Sequence, residues 1–263
     1  MAWRRLFGRG GTRSSHSESG GGTTGGVDAV IRMRRFQIVF QPVIDLRDFS
    51  ITGVEALARF PQTENPLPEY WFDRARERGA TAELEMLTAS SAVRGAQPLP
   101  PEIYLAINLS AATASDDRLP ALIDLAGRQI VIEITEHEIV EDYPRLELAI
   151  GGLRRLGSRV AVDDTGAGWA SLRHVLELRP EIIKLDGTLT ARVTDDVQTR
   201  ALTAALVRFA VDVGSTIVAE CVEDLEQAAV LRDLGVTNGQ GFGLCPPVAV
   251  EQILQLELGS PVR

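Results

Sequence analysis

Short runs rich in Val, Ile and Leu alternate along this chain with stretches whose apolar residues recur every three or four positions. The changeovers repeat: a helical stretch, a glycine, then a β-type run occurs around Gly127 before QIVIEIT, Gly157 before RVAVDD, Gly214 before STIVAE and Gly235 before VTNGQGF. A glycine just past a helix takes the left-handed capping conformation without Cβ strain and lets the chain turn back into a strand. The pattern therefore predicts successive αβ units. In the helix before Gly157, Leu146, Ala149, Ile150, Leu153 and Leu156 form one stripe, with Arg154 and Arg155 off it.

The β-type runs are Phe36 to Ile44, Ile51 to Leu57, Ile103 to Ser110, Gln129 to Thr135, Arg159 to Asp164, Glu181 to Asp186, Ser215 to Glu220 and a short one near Val236 to Phe242. Eight strands with intervening helices predict an α/β fold of the (β/α)₈ barrel type. Only LRDFS separates the first two, which leaves no room for a helix. They should form a hairpin, giving an antiparallel first strand pairing.

Composition narrows the class. Of 263 residues, 44% are hydrophobic and 24% charged, enough apolar material for a core of about one large domain over 27–263. No run approaches the roughly 18 unbroken apolar residues of a membrane span, and the basic start at Arg4 and Arg5 has no apolar run behind it. The expected compartment is the cytoplasm. Cys221 and Cys245 are too few for a disulfide framework and lack zinc-ribbon spacing. Residues 1–26 are Gly- and Ser-rich with a basic head and read as a disordered tail; the alternative is a membrane-surface or partner-binding arm led by Trp3, Arg4, Arg5, Leu6 and Phe7. Such a tail is too short for a sensory domain, so a stand-alone domain is expected.

Net charge is −9, which disfavours a nucleic-acid polymer as partner and leaves open a small anion in a local basic pocket. The bases are almost all Arg: of 27 basic residues, Lys184 is the sole lysine. It lies in the apolar run EIIKLD, where chance survival of a surface lysine is the weaker explanation. A compact ammonium can hold a water or a phosphate oxygen as a point charge, which a planar guanidinium does less well.

Polar residues fall at the carboxyl ends of the apolar runs: Glu55, Asn108, Glu133, Asp163 with Asp164, Lys184 with Asp186, Glu220 and Gln240. In a barrel these ends converge on one mouth. Any single strand-end acid is usually a helix cap or a rim residue, but acids on several strands aimed at one mouth would repel, which implies bound cations. Oxygen donors from Glu, Asp and Asn suit hard Mg²⁺, Mn²⁺ or Ca²⁺ better than zinc. His137, the histidine nearest the mouth, is more readily a rim residue than a ligand. Asp163 and Asp164 would normally face opposite ways, yet where the strand turns into GAG both can point to the mouth, and one could bridge two ions. Two ions about 4 Å apart can activate a water and stabilise the leaving oxygen of a phosphodiester.

Seven motifs in order, EALAR at Glu55 to Arg59, NLS at Asn108 to Ser110, EITE at Glu133 to Glu136, DDTGAG at Asp163 to Gly168, KLD at Lys184 to Asp186, AECVE at Ala219 to Glu223 and QG at Gln240, resemble the EAL-domain cyclic-di-GMP phosphodiesterases. The resemblance runs from about Arg35 to Val248. It implies a (β/α)₈ TIM-like barrel, two Mg²⁺ or Mn²⁺ ions held by Glu55, Asn108, Glu133, Asp163 and Asp164, and inhibition by Ca²⁺. It implies that Lys184 and Glu220 handle the nucleophilic water, that Gln240 supports that water or the metal shell, and that Arg59 and Asp186 contact substrate. Glu136 and Glu223 would anchor loops, and a homodimer would form. The implied reaction opens cyclic di-GMP to linear pGpG, lowering a bacterial second messenger.

The sequence departs from the family at Thr165, Ala167, Trp169 and Ala170, in a loop that reads close to DDFGTGYSS in the family. Cys221 stands where Gly is usual and Ala111 where Pro is usual. Cys221 beside Glu220 reads as a small buried residue before it reads as an oxidisable switch. The altered loop keeps an alternative in view: a weakly catalytic domain acting as a cyclic-di-GMP receptor or protein-interaction module. A barrel acting only through its surface is the third reading, and the seven motifs weigh against it.

Overall fold

The computed structural model describes residues 26–61, 65–134, 140, 142–165 and 169–256. The tail, Thr135, Glu136 and His137, and the GAG segment at 166–168 lie outside the described residues, as do the side chains of Asp164, Trp169 and Ala170.

Eight strands close a barrel in sequence order. They are β1 (Gln37–Asp45), β2 (Ile51–Arg59), β3 (Tyr104–Leu109), β4 (Ile130–Ile134), β5 (Arg159–Thr165), β6 (Ile182–Leu185), β7 (Thr216–Ala219) and β8 (Asn238–Gly239). Strands β2 to β8 run parallel, and β1 is antiparallel to both neighbours, β2 and β8. The predicted hairpin and mixed pairing are both present.

Helices connect and coat the strands: α1 (Val27–Met33) before β1; α2 (Pro68–Glu77) and α3 (Thr81–Ala96) after β2; α4 (Ala111–Ala114) and α5 (Leu119–Ala126) after β3; α6 (Tyr143–Arg155) after β4; α7 (Trp169–Leu178) after β5; α8 (Gly187–Thr190) and α9 (Val197–Val213) after β6; α10 (Leu225–Asp233) after β7; and α11 (Val250–Gln255) at the end. The four junction glycines have φ between 64° and 93°, the conformation their position predicted. On α6 the stripe buries Leu146, Ile150 and Leu153, while Leu156, at the C-cap, turns outward and is 47% exposed.

Two apolar layers result from the strand period of two. One face of each strand joins the large cluster shared with the helices, with Leu105, Ile107, Ile132, Val162, Ile183 and Ile217 among its members. The other face fills the barrel with Val43, Tyr104, Ala106, Val131, Ala161, Ile182 and Val218. A third cluster packs α1 and α2 beside the outer end of β2 through Val30, Phe60 and Trp71, and the Trp71 indole N–H donates to the Asn65 carbonyl at 2.6 Å.

Backbone closeness makes a sharp stability prediction. A Cβ on Gly241 would collide with the main-chain N and O of Val222, which neither partner can yield cheaply. Gly152, inside α6, would meet nothing nearer than an Arg155 side-chain nitrogen at 3.7 Å. In urea unfolding, Gly241→Ala should lower stability by about 1–3 kcal/mol, whereas Gly152→Ala should raise it by about 0.5–1 kcal/mol. Equal effects of one sign would contradict the packing described.

Candidate functional site

The candidate side chains stand one step above the barrel plug. Moving two residues along the inward face from Ala106, Val131, Ala161, Ile182 and Val218 arrives at Asn108, Glu133, Asp163, Lys184 and Glu220. The same step on β2 and β8 arrives at Glu55 and at Gln240, just past the strand. A layer of apolar side chains therefore seals the barrel beneath a layer of polar ones, and the mouth has a dry floor.

Lys184 is the hub of that layer. Its Nζ lies 2.8 Å from Glu133 Oε2, 2.8 Å from Glu220 Oε1, 3.3 Å from Glu55 Oε2 and 3.6 Å from Asp163 Oδ1. The side chain is only 2% exposed. Burial would lower the pKa of this ammonium, but Asp163, Glu133, Glu220 and Glu55 together reverse that and hold it well above its usual value. Asn108 Nδ2 donates to Glu55 Oε1 at 2.7 Å, and Gln240 Nε2 donates to Glu55 Oε2 at 2.8 Å.

Four carboxylates around one ammonium leave a formal excess of three negative charges. The cost appears on the acids themselves. Burial first, and then the Glu55 and Asp163 charges, push the Glu133 carboxyl up to about 8; burial and Asp163 push Glu220 well above the usual carboxylate range. Among the described residues, no three acid, His or Cys side chains draw together as a metal cage, and the acids close on the ammonium instead. By donor type and by charge excess the residues nevertheless fit hard divalent cations, which would relieve the repulsion that Lys184 alone cannot.

The remaining expected residues divide. Arg59 lies on the inward face of β2, four residues beyond Glu55 and half-buried; burial lowers its pKa against the opposing pull of Glu55. Asp186 is buried, and its carboxylate caps α8, accepting from the Thr188 N–H at 2.8 Å and from the Thr188 hydroxyl. Its nearest duty is to fix the turn after Lys184. The Glu223 side chain is exposed, while its N–H donates to Gln227 Oε1 at 2.8 Å. Glu136 and the Asp164 side chain lie outside the described residues.

Two buried residues escaped the sequence reading. Gln41, on β1, pairs in register with Glu55 and bonds to Gln240; it was missed because β1 runs backwards and brings its first half, not its end, to the mouth. The inward alternation Gln41, Val43 was the available signal. Glu85, on α3, accepts from the Ser110 N–H at 3.0 Å and its hydroxyl at 2.8 Å, tying down the chain just after Asn108. A lone acid on a helix carries no such signal. Cys221 has φ of 53°, the region where glycine is at ease, and its Sγ fills space that a side chain on Gly187 would need.

The sequence model described as EAL domain matches residues 27–247. An uncharacterized protein of Mycobacterium tuberculosis is 28% identical over 82% of this chain and 76% of its own length. The probable cyclic di-GMP phosphodiesterase PdeB of Escherichia coli is 28% identical over 81% of this chain, which spans only 42% of that relative. Among solved structures, an EAL domain protein from Listeria monocytogenes superposes with a TM-score of 0.76 at 26% identity, covering 87% of this chain and 94% of that one. The manganese and cy-diGMP complex of Klebsiella pneumoniae BlrP1 has a TM-score of 0.73 at 28% identity, over 81% of this chain and 56% of that one.

The raised Glu133 pKa sets a direction for stability. Between about 4.5, the ordinary value, and about 8, the folded chain keeps a proton that the unfolded chain has released, so stability falls as pH rises through that window. In chelator, the wild-type melting temperature should drop relative to that of Glu133→Gln across the window, and Mn²⁺ should flatten the difference. A gap that widens in favour of the wild type would refute it.

Proposed function

The chain belongs to the EAL domain family, and from that membership and the charged barrel mouth we propose that it is a metal-dependent phosphodiesterase opening cyclic di-GMP to linear pGpG. The observation that carries this reading is the ring of Glu55, Glu133, Asp163 and Glu220 around the buried Lys184. Relatives named as cyclic di-GMP phosphodiesterases and a BlrP1 complex holding manganese and cy-diGMP support it. Glu55, Asn108, Glu133, Asp163 and Asp164 would hold two ions of the Mg²⁺ or Mn²⁺ kind. When bound, such ions lower the pKa of a water and offset the charge of the phosphodiester.

The chain's own residues do the rest. Lys184 Nζ holds the facing oxygens of Glu133 and Glu220 in fixed directions. Glu220, whose pKa burial and the neighbouring Asp163 raise above the ordinary carboxylate range, is a stronger base toward the attacking water than a surface acid would be. The half-buried Arg59 guanidinium meets a substrate phosphate with less screening than a surface arginine would give. Asp186 would shape the substrate wall through the turn it caps, and Gln240 would orient the water from the far side of Glu55. Glu136 and Glu223 would anchor the loops. A homodimer and a cytoplasmic location accompany this reading; among the described residues, no helix is long and apolar enough to cross a membrane.

The changed loop at Thr165, Ala167, Trp169 and Ala170 supports a second reading, a cyclic-di-GMP receptor with negligible turnover. Incubation with cyclic di-GMP and Mg²⁺ or Mn²⁺, followed by chromatography, separates the two. Appearance of pGpG that chelator abolishes and that Glu55→Ala and Glu220→Ala each reduce at least about 100-fold is the expected result, with Ca²⁺ in place of Mg²⁺ suppressing it. Tight binding without product would favour the receptor, and neither binding nor product would defeat both.

A further inference from the structure

Gln41 and Gln240 form a relay whose polarity is set from outside the mouth. Gln41 is 8% exposed and Gln240 4%. The Gln41 amide Nε2 donates at 3.2 Å to the main-chain carbonyl of Cys245, and its Oε1 accepts from Gln240 Nε2 at 3.1 Å. Gln240 Nε2 donates its second hydrogen to Glu55 Oε2 at 2.8 Å. A carbonyl oxygen can only accept, so Gln41 cannot turn over. Gln240 cannot turn over either, because its oxygen would then face Gln41 Oε1 and Glu55 Oε2, two acceptors. With both amide hydrogens spent, Gln240 Oε1 is left as a buried acceptor with no partner among the described residues.

We propose that Gln41 is a positioning residue: it locks the Gln240 amide so that Nε2 keeps donating to Glu55 Oε2 and holds that carboxylate in one orientation at the mouth. That Glu55 serves hydrolysis rests on the phosphodiesterase reading; the locked orientation does not. Among the described residues Gln41 bonds to a main-chain carbonyl and to Gln240, so it acts through Gln240.

The test pairs kinetics with a readout independent of turnover. In the side-chain amide spectrum, the Gln240 NH₂ signals, assigned by their loss in Gln240→Met, should exchange slowly with water in the wild type. They should exchange fast in Gln41→Met, which removes the acceptor that Gln240 Nε2 uses. With cyclic di-GMP, Gln41→Met should lower kcat about 10- to 100-fold with KM within about twofold, and Gln41→Met/Gln240→Met should be no slower than Gln240→Met. Additive losses in the double variant, or unchanged kcat in Gln41→Met, would overturn the role. Fast Gln240 exchange in the wild type would overturn it even if Gln41→Met fails to fold. Absence of pGpG from the wild type with slow Gln240 exchange would instead remove the phosphodiesterase reading and leave the relay standing.

Discussion

One buried ammonium organises this molecule. Lys184 reaches four carboxylates contributed by β2, β4, β5 and the end of β7, elements that are far apart in sequence and brought together only by barrel closure. Removing the ammonium would leave the acids around it with no compensation, and the usual cost of breaking a buried pair in that way is about 3–5 kcal/mol. The cluster is nevertheless out of balance, since one ammonium faces four acids. That imbalance is what divalent cations at the mouth would offset.

The barrel interior explains how so many charges are tolerated. Below the charged layer, Val43, Tyr104, Ala106, Val131, Ala161, Ile182 and Val218 close the floor, so water reaches the acids from one side only. A shift of one residue in any strand would exchange its mouth residue for one facing the helices. Register is therefore as much a functional constraint as the identity of the acids. The polar side chains also hold one another. Asn108 and Gln240 grip the two oxygens of Glu55 from opposite flanks, and Glu85 secures the chain after Asn108 from the helix behind.

Departures from the family's usual residues acquire a structural meaning at one position. Cys221 adopts a left-handed conformation directly after Glu220, and its side chain occupies the room left by Gly187 at the start of α8. The loops after β6 and β7 are thus coupled by a contact that glycine at 221 would not make. Asp186 contributes from the other end of the same turn by capping α8.

Local chemistry decided what the sequence could reveal. A strand has a period of two, a helix of 3.6, and a capping glycine is nearly free of context, so strand order, the hairpin and the αβ alternation were readable from neighbouring residues alone. The convergence of Asn108, Glu133, Asp163, Lys184, Glu220 and Gln240 was readable for the same reason, since each lies at or just past the end of an apolar run, whereas Glu55 sits at the middle of β2. Long-range geometry decided the rest. The reversed direction of β1 was legible, but not that it would bring Gln41 against Gln240, 199 residues away. Nor could sequence indicate that Glu85 would support Ser110 from a separate helix. Which acid meets which amide depends on stagger between strands and on helix packing, and those exist only once the barrel is closed.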